Sequence, residues 1–140
     1  SAVIVVDTNL IASLVLPTSQ KTKLAMRLLE VDREWAAPVL WRSEFTNILA
    51  TGVRQGWFDL PRAMGALAAA QDVIGDAEFE VPAEKVLEVA TSSGCTGYDS
   101  EFVVLAQDLS VQLITLDKQV LGSFPDTAVS LDHVVSAGRA

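Results

Sequence analysis

The stretch Val3-Ile4-Val5-Val6-Asp7-Thr8-Asn9 joins four branched apolar residues to a carboxylate and then to two polar residues. Consecutive branched side chains suit a strand buried on both faces, because a half-exposed strand would alternate apolar and polar. A carboxylate directly after such a strand falls where a helix begins, and Asp is favoured there because it accepts a hydrogen bond from a free backbone N–H of the first turn. The same order recurs at Leu113-Ile114-Thr115-Leu116-Asp117-Lys118.

Outward from these two units the chain alternates. Short apolar runs predict strands at Val3–Val6, Trp35–Ala37, Phe79–Val81, Gln112–Leu116 and Thr127–Leu131. Helical periodicity predicts helices from Asp7 to about Leu16, Thr18 to Val31, Leu40 to about Gln55, Leu60 to Ile74, Ala83 to Thr91 and Tyr98 to Leu109. A short helix from Lys118 and a C-terminal helical turn follow. Pro61 in the first turn of the fourth helix replaces an N–H that would have no partner there. Alternating strands and helices imply a mostly parallel sheet covered on both faces. The expected fold is therefore α/β: a single domain over residues 1–140, a three-layer α/β/α sandwich on a roughly five-stranded sheet.

Composition narrows the function. Half the residues are hydrophobic, which excludes global disorder. No apolar run is long enough to span a membrane. The start, Ser1 to Val6, enters a strand without a basic segment and lacks a signal-peptide pattern. Cys95 is the one cysteine, so an intramolecular disulfide and a cysteine-based zinc motif are both impossible. These features point to a reducing compartment, and a cytoplasmic location is expected. His133 is the one histidine, and no serine elbow accompanies it, which argues against a Ser-His-Asp hydrolase. The formal charge of −8 repels nucleic acid and argues against a passive nucleic-acid binder. It weighs less against a metallonuclease, whose acids face cations.

Four acids stand out: Asp7, Glu44 in W-R-S-E-F-T-N, Asp99 in G-Y-D-S-E-F-V, and Asp117. Three have a local explanation. Asp7 and Asp117 are placed as helix caps, and Thr96-Gly97-Tyr98-Asp99 reads as a capping box. Capping alone does not explain why the helix from Asp99 leads into the strand that ends at Asp117. In a parallel sheet that path returns both carboxylates to the carboxyl edge, where Asp7 also ends a strand. Open α/β folds bind ligands at this edge. Carboxylates gathered there repel one another unless a hard cation with a preference for oxygen ligands lies between them. Glu101 lies two residues beyond Asp99, roughly 200° around the helix, and is expected to face away from it. Asn9 is a candidate to orient Asp7 or a water, and Thr115 to hydrogen-bond a carboxylate.

These segments together resemble the PIN-domain ribonucleases, and specifically the VapC toxins of bacterial toxin–antitoxin pairs. The matching residues are V-V-D-T-N at Val5–Asn9, S-E-F-T-N at Ser43–Asn47, G-Y-D-S-E-F-V-V-L-A at Gly97–Ala106 and L-I-T-L-D at Leu113–Asp117, in that order over nearly the whole domain. The resemblance implies a five-stranded parallel sheet between helices. It also implies that Asp7, Glu44, Asp99 and Asp117 hold Mg²⁺ or Mn²⁺ and cut RNA. A homodimer is implied too, held inactive by a small antitoxin whose tail enters the acidic groove. Such a tail is expected to be basic, given the charge of −8. Trp57 and Phe58, after Gly56, suit either an interface or the core.

Two other classes share a small acidic α/β pocket. A receiver-type phosphoacceptor module needs a phosphorylatable Asp after a mid-chain strand. The candidate, Asp59, follows a helix, and Lys118 is ill placed as its lysine. A haloacid-dehalogenase-type phosphatase needs a second Asp where this chain has Asn9. A PIN-like domain that binds without catalysis is the remaining alternative.

Overall fold

A computed structural model of the chain describes residues 3–16 and 20–137. Its strands are β1 (Ile4–Val6), β2 (Trp35–Pro38), β3 (Glu78–Phe79), β4 (Leu113–Thr115) and β5 (Ala128–Ser130). Its helices are α1 (Thr8–Val15), α2 (Thr22–Val31), α3 (Trp41–Arg54), α4 (Leu60–Ile74), α5 (Ala83–Ser93), α6 (Gly97–Leu109), α7 (Lys118–Ser123) and α8 (Leu131–Ala137). The strands form one sheet in the order β3-β2-β1-β4-β5, and every pairing is parallel. The α/β class and the five parallel strands are as the sequence implies.

The central strands carry the core because both of their faces are covered. β1, β2 and β4 are buried at every position. Helices α1, α2, α3, α4 and α8 pack among themselves, while α5 packs on α6, and α6 crosses β1, β2 and β4. The sheet thus lies between two helical layers. On α3 the apolar residues Trp41, Phe45 and Leu49 repeat every four positions and are buried, and the Trp41 ring leans on Phe45.

Several boundaries differ from the expectation, for identifiable reasons. The second helix starts at Thr22 rather than Thr18: Gln20 and Lys21 form a turn, and residues 17–19 lie outside the described residues. The third strand is Glu78–Phe79, short of the expected Phe79–Val81, because its register is set by the partner strand, with Ala37 opposite Glu78 and Pro38 opposite Phe79. Trp57 and Phe58 separate. Phe58 packs on the core against Gly52, where an added Cβ would run into its ring, whereas Trp57 is 65% exposed.

Strand order positions the site. From β1 the chain moves towards β2 on one side; from β4 it moves towards β5 on the other. β1 and β4 are neighbours, so the loops at their carboxyl ends part and leave a crevice between them.

Candidate active site

A pocket of about 250 Å³ occupies that crevice. It is lined by Asp7, Asn9, Glu44, Asp99, Thr115 and Asp117, with Thr8 and Asn47 among the other wall residues. Every candidate taken from the sequence is therefore in one place. Asp7 follows β1, and Asp117 lies two residues beyond β4. Glu44 lies in the first turn of α3, just after β2, and Asp99 in the first turn of α6. No Lys, Arg or His is among the described residues that line the pocket.

The local explanations of these acids hold in the structure, and Asp7, Asp99 and Asp117 line one pocket as well. Asp7 caps α1 by accepting from the Leu10 N–H at 2.8 Å, and Asp117 caps α7 by accepting from the Val120 N–H at 3.0 Å. Thr96 caps α6 by accepting from the Asp99 N–H at 3.0 Å. A cap uses a backbone donor to fix where the carboxylate stands, and leaves further lone pairs facing the pocket.

The Asp7 carboxylate is held at both oxygens. Oδ1 takes the Leu10 N–H, and Oδ2 accepts from the Thr115 hydroxyl and from the Leu116 N–H at 3.2 Å. Thr115 Oγ1 in turn accepts from the Asp117 N–H at 3.0 Å. One threonine thus ties the Asp7 carboxylate to the backbone that carries Asp117. Thr8, which sequence reasoning passed over, is buried and donates to Glu44 Oε1 at 2.6 Å. It fixes a carboxylate 36 residues away. Only its position beside Asp7 hinted at this role. Asn47, three residues beyond Glu44 on α3 and so on the same helical face, also reaches the pocket.

The electrostatics show a surplus of negative charge. Burial pushes the Asp7 carboxyl up from its ordinary value, the three hydrogen bonds oppose the rise, and the charge of Asp117 adds to it. Burial likewise raises Glu44 against the bond from Thr8, with Asp99 and Asp7 adding repulsion. Asp99 is raised by burial and then by Asp117, with the Thr96 side-chain bond opposing. Glu101, expected to face away from Asp99, is raised by burial and then by the charge of Glu44, which α3 brings within reach.

The donor set is all hard oxygen and amide, which suits Mg²⁺ or Mn²⁺ and offers nothing to a soft metal. Among the described residues no three carboxylate, imidazole or thiolate groups stand together as a ready-made ligand cluster. Mg²⁺ does not need one, since it takes one or two protein carboxylates and keeps several waters. The residues fit a hydrated divalent ion touched directly by a minority of Asp7, Glu44, Asp99 and Asp117.

Other candidates lie elsewhere. Asp59 caps α4 through the Arg62 N–H at 2.9 Å and does not line the pocket, which removes the phosphoacceptor position a receiver module needs. His133 lines a separate concavity beside β5 and α8, and Cys95 is buried and free. Among the described residues no helix is long and apolar enough to cross a membrane.

The fold is shared with a solved structure, that of PAE2754 from Pyrobaculum aerophilum, at a TM-score of 0.78 and 20% sequence identity, covering 99% of this chain and 98% of that one. At that identity the likeness is one of fold. No family model and no curated protein matches the sequence.

Proposed function

We propose that this protein is a divalent-metal-dependent endoribonuclease of the PIN-domain type. One observation carries the reading: four carboxylates from four separate chain segments line one pocket with no cationic side chain among them. A structural ion-pair network would contain its own Lys or Arg. This pocket leaves its charge for something that enters from outside; burial first, and neighbouring carboxylates after it, raise the carboxyls of Asp7, Glu44 and Asp99, which supports the reading.

A divalent ion in this pocket supplies Lewis acidity and activates water for in-line attack at phosphorus. The chain's own residues set the geometry. Thr115 and the Leu116 N–H hold Asp7 Oδ2 in place. Thr8 holds Glu44 Oε1 and leaves the second oxygen free to act on the ion or on a water. Asp99, in the first turn of α6, and Asp117, the cap of α7, line the same pocket. Asn9, exposed on the lining, is a neutral donor placed to orient a water or a phosphate oxygen.

The test is purified protein with RNA. Cleavage should need Mg²⁺ or Mn²⁺ and stop in EDTA; equal cleavage in EDTA overturns the metal mechanism.

The motif resemblance extends the proposal to the toxin of a toxin–antitoxin pair, a homodimer restrained by a small protein with a basic segment. An Arg or Lys from that segment would sit among the carboxylates, drawn in by the same field that repels RNA. Expression of the chain alone should arrest growth, and a small basic partner should rescue it and co-purify. A harmless chain that still cuts RNA would keep the nuclease and discard the toxin.

A further inference from the structure

An acidic pocket cannot by itself hold a polyanion, so the strand being cut must be gripped next to it. A second concavity of about 420 Å³ adjoins the first, lined by Arg42, Ser43, Thr46, Asn47 and Ala50. Asn47 belongs to both. At about 100° per residue, the order around α3 is Arg42, Thr46, Ala50, Ser43, Asn47 and then Glu44. The face therefore runs without a break from a guanidinium through two hydroxyls and an amide to the edge of the carboxylate pocket. No carboxylate lines it, and no large apolar side chain does.

Arg42 is prepared for a ligand rather than loose. Its Nε donates to Glu78 Oε1 at 2.7 Å, and the same oxygen accepts from Trp41 Nε1 at 2.6 Å. Trp41 is fully buried, so Glu78 is anchored to the core and orients the guanidinium in turn. That contact uses one of five N–H donors. The Arg42 side chain stays 52% exposed, which leaves the other donors within reach of a phosphate.

We propose that the α3 face from Arg42 to Asn47 is the subsite for single-stranded RNA beside the phosphate that is cut. Arg42 takes a neighbouring phosphate, and Ser43, Thr46 and Asn47 hydrogen-bond sugar hydroxyls or base edges. The inference rests on the ribonuclease reading of the adjoining pocket and names how its substrate is held. A guanidinium beside neutral donors is the complement of an RNA strand, whose phosphates accept and whose sugars and bases both donate and accept. It is a poor complement to an apolar protein surface.

The experiment measures binding of a fluorescent single-stranded RNA oligonucleotide by anisotropy in EDTA, where cleavage is silent, over a range of salt. Arg42→Ala should weaken binding about tenfold. It should also reduce the slope of log affinity against log salt by about 0.7, the signature of one lost phosphate contact on a single strand. Arg42→Lys should restore the slope. Asn47→Ala and Thr46→Ala should lower affinity with the slope unchanged. In Mn²⁺, Arg42→Ala should raise KM, leave kcat near wild type and leave Mn²⁺ affinity unaltered. Circular dichroism on Arg42→Ala and Arg42→Gln checks that both fold.

No binding by the wild-type chain, or equal affinity and equal slope in folded Arg42→Ala, overturns the inference. So does loss of a dimer with RNA affinity unchanged, which would assign the face to a second copy of the chain. RNA cleavage that is indifferent to Arg42 keeps the nuclease and removes this subsite. Arg42-dependent binding without metal-dependent cleavage does the reverse.

Discussion

The carboxyl edge of the sheet and the turn between α3 and α4 use the same local device with different results. At the sheet edge Asp7 and Asp117 cap α1 and α7; at the turn Asp59 caps α4. The three capping bonds are 2.8, 3.0 and 2.9 Å long. Bond for bond the three aspartates are equivalent. Asp59, however, stands exposed between two helices, while Asp7 and Asp117 end up with Glu44 and Asp99 around one pocket. A capping residue is a property of a few neighbouring positions. A site is a property of where the strands place those positions.

The sharpest way to break this comparison is to make one conservative change at each place. Asp99→Asn and Asp117→Asn should each lower metal-dependent RNA cleavage by at least about 100-fold, more than the usual loss on mutating a supporting partner of a metal ligand. Asp59→Asn should leave cleavage unchanged. Equal activity in all three would reduce the pocket acids to helix caps.

Stability separates them next, because the caps differ in what their second oxygen does. Asn caps as well as Asp, so Asp59→Asn should be nearly neutral, and Asp117→Asn neutral or stabilising once repulsion is relieved. Capping alone would make Asp7→Asn neutral as well, but its second oxygen is also engaged. Both oxygens of Asp7 accept from backbone N–H groups, of Leu10 and of Leu116, and an amide must turn its NH₂ against one of them. Asp7→Asn should therefore cost about 1–3 kcal/mol in urea unfolding of the metal-free protein. A Tm equal to wild type would show that repulsion among the acids outweighs the lost acceptor.

The smallest effect is a pH dependence confined to the sheet edge. Asp7, Glu44 and Asp99 have carboxyls raised in the folded state. Their stabilising contribution is fully present below the unfolded carboxylate range and is lost as pH rises through the raised values. Metal-free protein should lose part of its Tm through these groups as pH rises above the unfolded carboxylate range, about pH 4. Glu44→Gln should flatten that fall, since its amide oxygen still accepts from Thr8; Asp59→Asn should not change it. Added Mn²⁺ should remove the fall by favouring the charged forms. A profile that Glu44→Gln leaves unaltered would show that the pocket acids are not strained by one another.

What could be read locally was read. The apolar run of β1 is continuous because the strand is buried on both faces. The start of α4 was legible from Pro61, and the cap of α6 from Thr96 and Asp99, because each depends on interactions within one helical turn; the structure adds Asp59 as the cap of α4. The acids of the site were legible for the same reason: each lies at a strand end or in a first helical turn, and a parallel sheet brings such positions to one edge. The chain alone thus determined the fold class and the candidate carboxylates.

Tertiary structure decided the rest, wherever the deciding contact spans many residues. Thr8 meets Glu44 only because β2 lies beside β1, and Glu101 feels Glu44 only because α3 and α6 converge on the pocket. Phe58 is half-buried against the core and Trp57 exposed although they are neighbours in the chain, because Gly52 makes room for one ring. Glu78 orients Arg42 because β3 pairs with β2 one residue earlier than its own sequence suggests. A local pattern carries propensity and burial period, which are set by near neighbours. It carries no distance between segments, and a pocket is made of those distances.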